Sequence, residues 1–157
     1  MIDHFGAPWV GADRYALRPD ARRFETWEKN YAARLGLGAA VDYALGLGLD
    51  AIRARCLHLT DHVKAELERL PRVTLHDLGR DRAAIVSFAV RGLASEAIRS
   101  ELTQRAINVS VSKPNSTLLD ASARNLPTVL RVSPHYYNSE DEIDLFVDAL
   151  NDIVASG

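Results

Sequence analysis

Cysteine is almost missing from this sequence, with Cys56 the single one in 157 residues. One thiol cannot form an internal disulfide, so the fold must be held by an ordinary apolar core, which suits a reducing compartment. No stretch approaches the roughly 18 consecutive apolar residues of a membrane-spanning helix. Met1 to Ala7 mixes Asp3 and His4 with glycine, which is not the pattern of a secretory leader. The expectation is a cytoplasmic protein. Charge of either sign is not in excess: the net charge is −2, which gives no case for nucleic acid or an anionic membrane as partner. No Ser-His-Asp pattern, glycine-rich phosphate loop or zinc-type cysteine spacing occurs.

What is present is a globular balance, 47% hydrophobic and 25% charged residues, enough for one domain with a core of its own. Met1 to Arg23 reads as loop, broken by Gly6, Pro8, Gly11 and Pro19. Trp9 in it can serve as a local staple or as a contact to a partner. From about Glu28 to Leu47 the pattern is helical, and between Tyr31 and Gly48 only Arg34 and Asp42 are charged. Ala32, Gly36, Ala40 and Ala44 form a small-residue stripe, and leucines, Val41 and Tyr43 cover the rest. A helix apolar nearly all round is expected to be buried on more than one side, and small stripes admit close backbone approach. It is either a central helix of its own domain or a contact to a second domain or subunit. Asp50 is placed to cap a second helix, with Ile52, Cys56, Leu59, Val63, Leu67 and Leu70 on its apolar stripe and Pro71 beyond its end. Cys56 in that stripe reads as a buried structural thiol.

Strands are predicted over 72–77, 84–90, 107–111 and 128–132, with a helix over 93–105 that turns Ala97, Ile98 and Leu102 inward. The last helix is signalled most strongly. Ser139 and Glu142 make a capping box, Glu140 and Asp141 complement the helix dipole, and Ile143, Phe146, Val147, Leu150, Ile153 and Val154 share one face. The order is two long helices and then β-β-α-β-β-α. It predicts an α+β fold, with a small, mainly antiparallel sheet and helices on one face.

The run Arg131-Val132-Ser133-Pro134-His135-Tyr136-Tyr137-Asn138-Ser139-Glu140-Asp141-Glu142 resembles the closing motif of class V aminotransferases, pyridoxal-phosphate enzymes related to the cysteine desulfurases. Arg23-Phe24-Glu25 through Asn30, and Gly36-Leu37-Gly38-Ala39-Ala40 into Gly48-Leu49, resemble further stretches of that family in the same order. The resemblance implies the C-terminal small domain of a fold type I enzyme over residues 28–157, preceded by a connecting segment, 1–27. It implies that Arg131 binds the substrate α-carboxylate, a role that suits a guanidinium because it stays charged and donates two parallel hydrogen bonds. The other reading of Arg131 is a salt bridge to Glu140 or Asp141.

The same resemblance places Glu28 and Asn30 in a segment that approaches the cofactor phosphate of a neighbouring subunit, although Trp27-Glu28-Lys29 departs from the family's small triplet there. The loop Ser110 to Thr117 stands where desulfurases carry a persulfide-forming cysteine; it has none, so chemistry of that type is excluded. Its hydroxyls and Lys113 read either as a polar surface or as an anion site. Lys29, Lys64 and Lys113 are the only lysines, and none fits the position of a Schiff-base lysine. The expectation is therefore that this chain holds no covalent pyridoxal phosphate, has no catalytic residue of its own and is inactive alone. In a complete enzyme the substrate would be an amino acid. Residues 31–47 would meet a large cofactor-binding domain or a second copy. The alternative is a free-standing, non-catalytic α+β interaction module. His58 and His62 are four apart on one helix, but no third ligand is placed, so no metal is expected.

Overall fold

A computed structural model describes residues 6–25 and 29–156. They fall into two compact units, Met1–Gly46 and Leu47–Gly157.

The first unit opens with a strand pair where loop is predicted. β1 (Trp9–Gly11) pairs antiparallel with β2 (Arg14–Tyr15). The Trp9 and Tyr15 rings meet edge to face at 6.3 Å, so Trp9 acts locally as a staple, while 64% of it stays exposed. A 3-10 turn, Ala21–Phe24, follows. Helix α1 (Tyr31–Leu47) begins later than the pattern suggested, because Asn30 caps it: the side-chain oxygen accepts the Ala33 N–H at 2.9 Å. No residue of α1 is buried. A methyl group added at Gly36, Gly38 or Gly46 would meet nothing within 4 Å. The apolar, small-residue surface expected to be buried is thus not covered by its own unit.

The second unit is the α+β layer. Helix α2 (Leu49–Arg69) buries Cys56, Leu59, Thr60, Val63 and Leu67. Its N-cap is Gly48, at a φ of 90° that glycine adopts readily, and Asp50 lies inside the first turn rather than capping it. The sheet order is β3 (Val73–Leu75), β4 (Val86–Val90), β6 (Val129–Val132) and β5 (Ser110–Ser112), with every pairing antiparallel. The predicted strand over 107–111 forms only from Ser110 and runs on to Ser112.

Side chains alternate across the pleat, so Val86, Phe88 and Val90 on β4 join Leu130 on β6 in facing the helices. Helix α3 (Ser95–Gln104) buries Ile98 and Leu102 there, while Ala97, expected inside, is exposed. A short helix, α4 (Leu118–Arg124), stands between β5 and β6, where no element is predicted. Helix α5 (Glu140–Ser156) buries all six predicted residues and Ala149. Its capping box is formed: Glu142 N–H donates to Ser139 Oγ at 3.2 Å, and Ser139 N–H donates to Glu142 at 2.8 Å. Among the described residues no single helix is long and apolar enough to cross a membrane.

Candidate functional site

The face of the sheet away from the helices carries polar residues. Arg131 is the third residue of β6, an inner strand, opposite Ser87 on β4 and Ser110 on β5. Its neighbour Leu130 is fully buried in the core, so alternation sends Arg131 to the other side. There Nη1 lies 3.5 Å from Ser112 Oγ. Among the described residues Arg131 makes no ion pair. The salt bridge to Glu140 or Asp141 is not formed; Glu140 instead accepts from Arg55 at 3.0 Å and lies 3.0 Å from His58.

Arg131 lines a cleft of about 460 Å³ between this face, the β3–β4 connection and α4. The other cations of its wall are engaged. Lys64 is 3.5 Å from Asp77, Arg124 is 3.0 Å from Asp120, and Arg82 pairs with Asp61. Arg124 also donates to the His76 carbonyl, which ties α4 to the end of β3. Both Asp77 oxygens accept the Ser87 N–H, at 3.0 and 3.1 Å, and close the ladder where β3 ends. Arg131 is left as the cation with spare donors in a partly enclosed place. That arrangement can bind one carboxylate with two parallel hydrogen bonds.

The turn after β6 explains much of the motif. His135 N–H donates to Asn138 Oδ1 at 2.8 Å, and Asn138 N–H donates to the His135 carbonyl at 2.9 Å. Asn138 also donates to Glu142, and its carbonyl accepts from Arg55 at 3.2 Å. Asn138 is thus a turn residue that aims β6 into α5. Hydrogen bonds from the Ser139 backbone and then from Asn138 hold the Glu142 carboxyl below its ordinary pKa; those from His58 and then Arg55 do the same for Glu140.

Most of the remaining candidates stand apart from the cleft. Asn30 caps α1, and Trp27 and Glu28 lie outside the described residues. Lys113 itself pairs with Glu96 at 3.3 Å, whereas Ser112 and Thr117 of the same segment line the cleft. His58 and His62 each face a carboxylate of α5, His62 at 2.7 Å from Asp144, and these contacts tie α2 to α5. Among the described residues no group of three or more such side chains could hold a metal ion. Cys56 is buried. Sequence reasoning missed Ser87 and Arg124. Ser87 sat in an ordinary strand pattern, and Arg124 lay in an unrecognised helix.

Residues 8–146 match the family described as aminotransferase class-V. A probable cysteine desulfurase of Synechocystis sp. is 33% identical over a 145-residue alignment that covers 88% of this chain and 33% of that protein. A cysteine desulfurase of Synechococcus elongatus is 31% identical over 92% of this chain and 23% of its own length. The chain therefore spans about a third or less of the length of these curated relatives. Among solved structures, the apo cysteine desulfurase of Thermococcus onnurineus superposes with a TM-score of 0.78 at 25% identity, covering 100% of this chain and 39% of that one. The Escherichia coli cysteine desulfurase CsdA shares the fold, with a TM-score of 0.76 over 96% of this chain and 37% of its own. With its α+β layer, its Arg131 motif and a match along most of its length, this chain belongs to the class V aminotransferase family.

Proposed function

We propose that residues 28–157 are the C-terminal small domain of a pyridoxal-phosphate-dependent class V aminotransferase-like enzyme, with 1–27 as its connecting segment. In this reading Arg131 binds the α-carboxylate of an amino-acid substrate. One observation carries it: the Arg131 guanidinium lies in a cleft on the face of the sheet turned away from the core helices, makes no ion pair among the described residues, and has serine hydroxyls beside it. A carboxylate there would replace hydration with a charge-assisted, two-point contact.

The lysines of this chain do not fit covalent attachment of the cofactor. Lys64 is engaged by Asp77 and Lys113 by Glu96, and Lys29 belongs to the first unit, just before the start of α1. Chemistry on the cofactor belongs to another part of the complete enzyme, and this chain supplies substrate orientation and surface. Helix α1 is that surface. Its leucines stand open, Leu35 at 77% and Leu37 at 66%, and its glycines meet nothing. A large cofactor-binding domain or a second copy would cover it, and an obligate interface of this kind buries roughly 2,000 Å² or more.

Titration of the native chain and of Arg131→Ala with L-alanine, followed by calorimetry, tests the proposal. Saturable binding that disappears in Arg131→Ala is expected. If Arg131→Ala binds as well as the native chain, the residue is structural and the alternative of a non-catalytic interaction module gains. Incubation with pyridoxal phosphate and borohydride is expected to give no single stoichiometric lysine adduct.

A further inference from the structure

The charges around the Arg131 cleft do not all cancel. Among the charged residues that line it, Lys64 pairs with Asp77, Arg124 with Asp120, and Arg82 with Asp61 of α2. Two are left over, one of each sign. Arg131 is the free cation. Asp81 is the free anion, making neither an ion pair nor a side-chain hydrogen bond among the described residues. Neither sequence neighbour pairs with it: Arg82 is committed to Asp61, and Arg80 makes no ion pair and is absent from the cleft wall. Arg131 and Asp81 are not paired with each other, although both line the same cleft.

The placing of Asp81 follows from the connection that carries it. Asp77 accepts the Ser87 N–H with both oxygens and lies 3.5 Å from Lys64, which fixes the chain where it leaves β3. Gly79 makes the turn at a φ of 102°, a backbone conformation that glycine adopts readily. Arg82 then fastens the returning limb to α2, with Nη2 3.2 Å from Asp61. Asp81 thus sits between two tethered ends. It is exposed and lines the cleft, so a ligand there can reach it.

At about 460 Å³ the cleft falls within the range of roughly 300–1,000 Å³ that takes small molecules. A ligand with a second carboxylate would meet Asp81 without a free counter-charge. A ligand with a cation at its far end would pair with it, and matching of opposite charges is what gives a polar site its selectivity. We infer that Asp81 is a specificity-determining residue of this cleft, which takes an α-amino acid with its carboxylate on Arg131 and a side chain ending in an ammonium or guanidinium on Asp81. The inference rests on the Arg131 reading above.

The test is a calorimetric titration of the chain with L-lysine and L-norleucine. Norleucine shares the carboxylate, the α-ammonium and the aliphatic chain of lysine, and lacks only the terminal ammonium. Lysine is expected to bind about two- to fivefold more tightly, the range of one exposed ion pair. That advantage should shrink as salt rises from about 0.01 to 1 M, where the screening length falls from roughly 30 to 3 Å. Asp81→Asn should bring lysine down to the affinity of norleucine, and Asp81→Lys should place it below norleucine. A lysine advantage that survives Asp81→Asn overturns the inference. If norleucine binds in a way that needs Arg131 but lysine gains nothing, the Asp81 inference fails and the Arg131 reading stands. If neither amino acid binds, both fail. The lysine–norleucine comparison is made on the native chain, so it decides the matter even where a variant folds poorly.

Discussion

Helices α1 and α5 each have 17 residues, and they solve opposite problems. Helix α5 sorts its residues: an acidic, capped first turn, one apolar face, and seven residues buried against α2, α3 and the sheet. Helix α1 is the more apolar in composition, yet none of its residues is buried. Hydrophobicity alone does not say what a helix packs against; segregation of apolar and polar faces does. A segregated helix completes the core of its own domain, while one that is apolar all round presents a surface to something else.

The largest test of that contrast is truncation. Phe146→Ala in α5 should destabilise the second unit by about 3–5 kcal/mol, since a buried aromatic is removed with little room to relax. Leu37→Ala in α1 should change the stability of the chain by less than about 0.5 kcal/mol, as for an exposed site. Denaturant melts of both variants measure this. Equal losses would show that α1 is part of this chain's own core.

A second test separates binding from folding. In an enzyme completed by a lysine-bearing domain, Arg131→Ala should weaken amino-acid binding by about 2–5 kcal/mol, with Arg131→Lys recovering part of it. Its melting should stay close to that of the native chain, because the guanidinium faces the cleft and Leu130 carries the core contact. A salt-bridge role would give only about 0–1 kcal/mol.

The caps give a smaller, paired comparison. Ser139→Ala and Asn30→Ala each remove a side-chain acceptor at a helix start, a loss of about 1 kcal/mol. At α5 this should appear in global melting. At α1 it should appear as local fraying in amide exchange, since α1 has no buried side chains to couple it to a core.

The smallest expected effect is on pH. Glu142 and Glu140 have folded pKa values below their ordinary ones, through hydrogen bonds from Ser139 and Asn138 and from His58 and Arg55. Their stabilisation is complete above the ordinary glutamate range and is lost as pH falls through the depressed folded values. Glu142→Gln should make the acid limb of a stability–pH curve shallower. An unchanged limb would mean that these exposed carboxylates contribute little.

Much of α5 was legible in the sequence because its signals are local. A capping box spans four residues, and an apolar stripe repeats within two turns. The α2 stripe was legible for the same reason, apart from its start: Asp50 has the chemistry of a cap, but Gly48 has the backbone freedom that the turn required. Helix α4 was not legible, since it is short and follows a 3-10 turn at Pro114 rather than a side-chain cap.

Arg131 was identifiable from its motif. Its surroundings were not, because Ser87 and Ser110 reach it through strand register, and Arg124 frames the cleft by bonding the His76 carbonyl 48 residues away. By itself the sequence determined the long helices, the four strands of the main sheet and the apolar faces of α2 and α5, since those follow from neighbours within a few positions. Only the tertiary structure decided that Arg131 faces the cleft and makes no ion pair among the described residues. Hydrogen-bond and charge satisfaction depend on which distant groups the packing brings within reach.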